Sequence, residues 1–189
     1  GEGRQWGERA SNVRVSSLWE GPAPDLSTPL KVVDRAGCDR NPIDAADPAN
    51  RERLLAYIWP DQTARLTRTA AALEATAAAG RRAERADAAE WLTARLAKPP
   101  VPGRARVIFH TIVWQYIPAD AAAVAEAAIR AAGSHATAET PLAWLEMEGD
   151  GTKGSAAVRL TLWPTGETRP LGRADFHGRW VRWGSSGGS

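Results

Sequence analysis

Helical periodicity dominates the middle of the chain. Asp47-Pro48 is a typical helix start and predicts a helix from about Pro48 to Ile58. Trp59-Pro60-Asp61 interrupts it, and apolar residues then recur near helical spacing, which predicts a second helix that Asp61 caps and Gly80 ends. The two form a helical hairpin. Further helices are predicted over 88–97, after Asp87, and over 118–132, before Gly133.

Short apolar runs separate these helices and predict strands at Leu30–Asp34, Arg106–His110 and Pro141–Glu146. The run Arg106–His110 is almost continuously apolar, which is typical of a strand buried on both faces, so we expect it at the centre of the sheet. From Ala156 onwards apolar and polar residues alternate instead. This pattern predicts a hairpin that turns at 164–166, followed by a last strand over 179–183.

The order of strands and helices predicts a three-layer α/β fold. Strand–helix alternation favours right-handed crossovers onto a mostly parallel sheet, whereas the closing hairpin adds antiparallel C-terminal strands. We expect an extended N-terminal segment over 1–28, with an edge strand at Asn12–Val15, then an α/β domain over 29–183. The Gly/Ser tail, 184–189, is expected to be flexible.

Composition argues against membrane-spanning, disulfide-bonded, metal-binding and nucleic-acid-binding proteins. No apolar run approaches the roughly 20 residues that cross a bilayer, and the first residues do not show a charged start followed by an apolar stretch, so we expect a cytoplasmic protein without a membrane partner. The single cysteine excludes an internal disulfide or a multi-cysteine metal site, and no histidine spacing predicts a metal. A net charge of +2 with alternating signs does not favour nucleic acid. Most of the nine tryptophans are expected in the core or in pocket walls.

Seven motifs carry a family resemblance: RAGCDRNP (35–42), WPDQ (59–62), DAAEWL (87–92), FHTIVWQY (109–116), PLAWLE (141–146), LTLWP (160–164) and HGRWVRW (177–183). Together they resemble the bacterial family of uncharacterised proteins known as domain of unknown function 2332. The resemblance implies a Rossmann-like, methyltransferase-type fold, of which this chain matches the C-terminal portion. It also implies that the glycine-bearing first-strand loop, which cradles S-adenosylmethionine in such folds, is lacking here.

The same resemblance implies cofactor-binding residues. Asp39, just after a predicted strand, would accept hydrogen bonds from the ribose hydroxyls of S-adenosylmethionine, and Asp87 with Ala88 would meet the adenine. The residues themselves leave a second interpretation open. Asp39 and Asn41 are typical turn formers through side-chain-to-backbone hydrogen bonds, and Asp87 is a typical helix cap.

His110 is the sharpest catalytic candidate because it ends a strand, where open α/β sheets place their ligands. We expect Gln115 and Tyr116 to join it, with Trp114 and Glu146 binding an unknown small molecule. The alternatives are a hydrogen-bonded structural role for His110 and ion pairing with an arginine for Glu146.

Two functions therefore stay open at this stage. One is a methyltransferase-like enzyme that uses S-adenosylmethionine on an unknown substrate. The other is a non-catalytic interaction module that pairs through an exposed sheet edge, which a second copy in a homodimer or a missing N-terminal partner segment would cover. A hydrolase is disfavoured because no serine or cysteine elbow is present, and Cys38 is interpreted as a small buried thiol.

Overall fold

The computed structural model describes residues 4–22 and 24–184. Contacts divide the chain into two compact units, one formed by 1–15 and 25–87 and the other by 16–24 and 88–189. The predicted boundaries at 28/29 and 183/184 stay a prediction. Of the predicted tail, 185–189 lies outside the described residues, as do Gly1 and Gly3.

Eight strands and four helices make up the described chain. In order they are β1 (Leu18–Glu20), β2 (Cys38–Asp39), α1 (Pro48–Ala56), α2 (Thr63–Ala78), β3 (Glu84–Arg85), α3 (Ala88–Leu96), β4 (Arg106–Thr111), α4 (Ala119–Ser134), β5 (Leu142–Glu148), β6 (Ala156–Trp163), β7 (Glu167–Ala174) and β8 (Trp180–Trp183). A single 3₁₀ turn, Trp114–Tyr116, lies between β4 and α4.

The first unit contains the predicted helical hairpin and a minimal parallel sheet. Asp47 caps α1 as predicted, because its Oδ1 accepts the backbone N–H of Ala49 at 2.9 Å. The cap prediction for α2 is wrong, since Gln62 and not Asp61 precedes the helix. β2 and β3 pair in parallel over two residues each. The predicted strands at 12–15 and 30–34 do not form, and these short runs are irregular and mostly exposed.

The second unit holds a six-stranded sheet in the order β1-β8-β7-β6-β5-β4. Only the β1–β8 and β4–β5 pairs are parallel. The antiparallel C-terminal strands are confirmed, whereas the prediction of a mostly parallel sheet is wrong. The physical reason is that the β6–β7 hairpin pairs directly onto β5, without a further crossover helix.

The core lies between the sheet and α4. Ile129, Leu142, Trp144 and Trp163 form one buried cluster, against which side chains of α3 also pack. Gly133 was predicted to end α4 but lies inside it. A Cβ on Gly133 would approach the Trp163 ring to 2.3 Å, so glycine is required for this close packing. A three-layer Rossmann-like fold is not confirmed.

β4 is the outer strand of the sheet and not its centre. Ile108 and His110 face the core, whereas Val107 and Phe109 on the other face are 60% and 70% exposed. The prediction of a strand buried on both faces is therefore wrong. A short apolar run has the same composition in a central strand and in an open edge strand, so the sequence pattern did not distinguish them.

Candidate functional sites

His110 is held by two side chains of β5. Its Nδ1 lies 2.7 Å from Oε1 of Glu148, and the indole Nε1 of Trp144 donates to its Nε2 at 2.9 Å. Because an indole nitrogen only donates, Nε2 accepts and the ring proton lies on Nδ1, facing the carboxylate. Both nitrogens are engaged, which favours the structural role over acid–base catalysis.

The partners of His110 follow from the strand register. Parallel pairing sets His110 opposite Glu146. Trp144 and Glu148, two residues to either side of Glu146, lie on the same face and reach the ring. Sequence reasoning missed both partners. The sequence did contain a signal. Trp144, Glu146 and Glu148 alternate along β5 and therefore lie on one face, where a histidine on a parallel neighbouring strand can contact them.

The turn after β4 is strained and supports the same carboxylate. Ile112 has φ of 51°, an unusual conformation for a β-branched residue. The turn aims the backbone N–H groups of Val113 and Trp114 at Oε1 of Glu148, at 3.1 and 3.3 Å. Strain of this kind costs on the order of 1–3 kcal/mol and concentrates at functional sites. Oε2 of Glu148 is buried without a hydrogen-bond partner among the described residues.

A cleft of about 300 Å³ opens beside this network. Its walls come from the turn after β4, from α4 and from strands β5 to β7. The lining residues are Trp114, Glu126, Arg130, Trp144, Glu146, Arg159, Thr161 and Thr168. The two residues predicted to bind substrate, Trp114 and Glu146, thus share one cleft. Gln115 and Tyr116, predicted as catalytic, are exposed and do not line it.

Two tryptophans form the aromatic wall of this cleft. The Trp114 and Trp144 rings lie 5.8 Å apart and tilted, and His110 stacks on Trp114 at 4.5 Å. The guanidinium of Arg130 lies 5.9 Å from the Trp144 ring centre. His110 therefore fixes one tryptophan by a hydrogen bond and the other by stacking.

Two ion pairs complete the cleft. Arg130 contacts Glu126 along α4 at 2.8 Å, and Arg159 contacts Glu146 across β5 and β6 at 3.3 Å. The side chain of Glu146 is 12% exposed, and that of Arg159 is 46% exposed. The ion pairing that the sequence offered for Glu146 is confirmed, and the cleft carries balanced charge.

The predicted cofactor residues belong partly to the other unit. Asp39 ends β2 and its Oδ1 accepts the backbone N–H of Asn41 at 2.7 Å, the turn-forming role that the sequence also offered. Asp87 follows β3 and is half-buried, and Ala88 begins α3 in the second unit. A polar cleft of about 640 Å³ in the first unit is lined by Asn41 and Arg85, but neither Asp39 nor Asp87 lines it.

Cys38 has the surroundings of an inert thiol. Burial raises its pKa, and the nearby carboxylates of Asp39 and Asp87 raise the pKa further. A thiolate is the nucleophilic form, so these effects work against reactivity. Cys38 is half-buried and not fully buried, so the interpretation as a small buried thiol is supported in its lack of reactivity and only in part in its burial.

The free side of β4 is the second notable surface. Backbone N–H groups of Arg106 and Ile112 donate to Pro141 and Met147 at 2.9 Å, so the even-numbered residues bond to β5. Val107, Phe109 and Thr111 consequently direct their N–H and C=O groups outward, since the direction alternates along a strand. In the described part of the chain no strand pairs with that side.

Comparison with known proteins gives a family and no function. The model of a family described as an uncharacterized protein conserved in bacteria (DUF2332) matches residues 1–183. The chain belongs to the DUF2332 family. No curated protein and no solved structure matches it.

Within the part of this DUF2332 chain that the structure describes, no helix has the length and apolar character needed to span a bilayer. The described residues also contain no cluster of three or more histidine, cysteine or acidic side chains suited to a metal, and both His135 and His177 are exposed. The second unit of the DUF2332 chain thus presents two features: a charged aromatic cleft beside His110, and the open edge of β4 at Phe109.

Proposed function

We propose that this chain is a non-catalytic interaction module that pairs with a second copy of itself through β4. The observation that carries the proposal is the exposure of Val107 and Phe109, 60% and 70%, on an outer strand of six residues. Exposed apolar edge strands are templates for strand addition, and proteins normally blunt them. The engaged nitrogens of His110 support the non-catalytic part.

A two-fold axis at Phe109 makes β4 self-complementary. Antiparallel pairing about this axis sets Phe109 against its copy and Val107 against the copy of Thr111. These are the residues whose N–H and C=O groups point outward, so each pair exchanges both backbone hydrogen bonds. Aromatic and β-branched cross-strand pairs add about 0.2–1 kcal/mol each. A symmetric dimer with one continuous sheet results.

Charge favours the same arrangement. Arg104 and Arg106 lie at the amino end of β4, and the outward positions carry no charge. In the antiparallel pair, Arg106 faces Ile112 of the second copy, and the two Arg106 residues lie about 20 Å apart at 3.4 Å per residue. This exceeds the Debye length of about 8 Å at physiological salt. A parallel pair of copies would instead set arginine beside arginine.

The dimer should be weak. Pairing of single six-residue strands covers less than the area of about 1,200 Å² that stable interfaces bury. We therefore expect a dissociation constant of roughly 10–100 µM, which corresponds to about 5–7 kcal/mol.

Sedimentation velocity over a concentration series tests the proposal. The weight-average sedimentation coefficient should rise from the monomer to the dimer value across the micromolar range. No larger species should form, because a two-fold symmetric interface uses the free edge of both copies. A monomer at every concentration refutes the proposal. Open-ended growth beyond the dimer also refutes it, since the two-fold would then be absent.

A second candidate is S-adenosylmethionine binding by a methyltransferase-like fold, and the parallel β2–β3 pair favours it. Asp39 ends β2, and Asp87 follows two residues after β3. Parallel strands present their carboxyl ends at one edge, where such folds bind the nucleoside.

Calorimetric titration with S-adenosylmethionine and S-adenosylhomocysteine decides this second candidate. Saturable binding that Asp39→Ala abolishes supports it, and Asp34→Ala is the control because Asp34 lies outside the strand pair. Absence of heat with both ligands refutes cofactor binding by this chain.

A further inference from the structure

We infer that the cleft lined by Trp114, Trp144 and the two ion pairs binds a zwitterionic ligand of amino-acid size with an aromatic side chain. The cleft lies on the α4-covered face of the sheet, whereas the exposed Val107 and Phe109 lie on the opposite face. The inference is thus independent of β4 pairing.

Cleft size limits the ligand. A volume of about 300 Å³ is at the lower end of ordinary small-molecule pockets, which hold one compact molecule and few polar contacts. A dinucleotide or a peptide is too large for it. The half-buried Trp114 ring offers flat apolar surface to an aromatic group, and the buried Trp144 ring, in tilted contact with it at a centroid distance of 5.8 Å, supports it.

Charge specifies the polar end of the ligand. Glu146 and Arg159 form one pair and Glu126 and Arg130 the other, and the pairs come from different elements. A lone anion would meet a glutamate beside each arginine, and a lone cation would meet an arginine beside each glutamate. A ligand with both an ammonium and a carboxylate can satisfy all these groups, since each of its charges finds the opposite charge.

The aromatic wall is built in advance of binding. Trp144 is 3% exposed and its indole N–H is held by His110, while the backbone N–H of Trp114 is held by Glu148. The strained backbone of Ile112 makes the second contact possible. Strain retained beside a fixed wall is the pattern that binding sites show, because preorganisation lowers the entropy cost of binding. His110 and Glu148 are thus positioning residues for the two tryptophans.

The test uses L-phenylalanine, phenylacetate and phenethylamine in calorimetric titrations of the full chain. L-Phenylalanine should bind saturably. The two analogues, which each lack one charge, should bind at least about tenfold more weakly, the effect of losing one charge-assisted hydrogen bond. Equal affinity for the three, or no saturable binding of L-phenylalanine, overturns the inference.

Indole N–H resonances locate the binding. L-Phenylalanine should shift the resonances of Trp114 and Trp144, assigned with single Trp→Phe variants, and leave those of Trp19 and Trp183 in place. Trp19 and Trp183 contact each other at 5.3 Å, outside the cleft lining, and serve as an internal control. Shifts confined to Trp19 and Trp183 overturn the inference.

Variants in the cleft and on the surface distinguish specific binding of L-phenylalanine from general charge effects. Glu146→Gln should weaken L-phenylalanine binding about tenfold. Glu167→Gln, in an exposed ion pair with Arg169 outside the cleft, should leave it unchanged. If Glu146→Gln does not fold, Arg130→Gln on the exposed surface of α4 decides the matter with Arg169→Gln as its control. Unchanged affinity in the cleft variant, or equal loss in the control, contradicts the inference.

Discussion

The two edges of the six-stranded sheet are built differently. β1, at one edge, has three residues, and β4, at the other, has six. β1 carries Glu20, which pairs with Arg182 at 2.8 Å, and the chain leaves it at once through Gly21-Pro22. Short length, charge and proline are the devices that protect an edge from strand addition. β4 has none of them on its exposed face.

Exposure of an apolar side chain does not by itself make a pairing edge. Leu18 on β1 is 75% exposed, slightly more than Phe109 on β4 at 70%. What differs is the length of unpaired backbone and the charge beside the apolar side chain.

The largest effect is expected for a charge on the open edge. Phe109→Lys replaces the central cross-strand contact by two like charges and should raise the dimer dissociation constant by at least about 100-fold. Leu18→Lys should change it less than about twofold, since β1 lies at the opposite edge of the sheet and takes no part in the proposed contact. Sedimentation equilibrium of both variants measures this. Equal loss of dimer in both would show that general solubility, and not the β4 edge, controls association.

The position of β1 at its edge of the sheet depends on the buried carboxylate of Asp175. Asp175 accepts Arg179 Nη2 at 2.8 Å and the backbone N–H of His177 at 2.9 Å. The backbone N–H of Leu18 in turn donates to the carbonyl oxygen of Arg179 at 2.9 Å. Asp175→Asn should lower the free energy of unfolding by about 2 kcal/mol, measured by urea unfolding. Asp25→Asn, on an exposed carboxylate of the first unit, is the control and should leave it unchanged.

The same carboxylate gives a pH dependence. Hydrogen bonds from Arg179 hold the pKa of Asp175 well below its ordinary value. A depressed folded-state pKa stabilises the fold fully above the unfolded-state pKa of about 4, and the stabilisation is lost as pH falls toward the folded value. The protection factor of the Leu18 amide, which is exchange corrected for its intrinsic pH dependence, should therefore fall below about pH 4 in the parent chain, and Asp175→Asn should lack this transition. Identical acid profiles for the two would contradict the role of Asp175.

A smaller effect is expected from removing one outward hydrogen-bond donor. Val107→Pro deletes an N–H that points away from β5, so the monomer should keep its stability, because proline is tolerated on the outer side of an edge strand. Dimer affinity should fall about tenfold. Thermal unfolding at low concentration and sedimentation at high concentration separate the two quantities. A large loss of monomer stability would mean that this N–H bonds inside the monomer.

The smallest effect is expected at the surface ion pair of β1. Glu20 and Arg182 have side chains 60% and 56% exposed, and exposed pairs contribute no more than about 1 kcal/mol. Glu20→Gln should therefore barely change the unfolding free energy. Removing this charge should, however, slightly raise self-association at low salt, because charge protects the edge from strand addition. Light scattering at low salt checks this.

Local signals predicted the helices and the closing strands well. Asp47-Pro48 marks the start of α1, and the alternation from Ala156 marks the β6–β7 hairpin, because these patterns depend on neighbours in sequence. Position within the sheet depends on partners far along the chain. Arg106–His110 was therefore recognised as a strand but placed at the sheet centre instead of its edge.

The candidate site shows the same contrast between features set by neighbours in sequence and features set by strand pairing. Trp114 and Glu146 were expected to share a ligand site, and they line one cleft. The partners of His110 were not predicted, since Trp144 and Glu148 reach it only through the parallel register of β4 and β5. Gln115 and Tyr116 follow Trp114 directly, but the 3₁₀ turn leaves both of them exposed.

The most direct test of β4 pairing is amide hydrogen exchange along this strand at low and high protein concentration. The N–H groups of Val107 and Phe109 should be unprotected in dilute solution and become protected as concentration rises. Those of Ile108 and His110, bonded to β5, should be protected throughout. Exchange at Val107 and Phe109 that does not change with concentration would contradict pairing through β4.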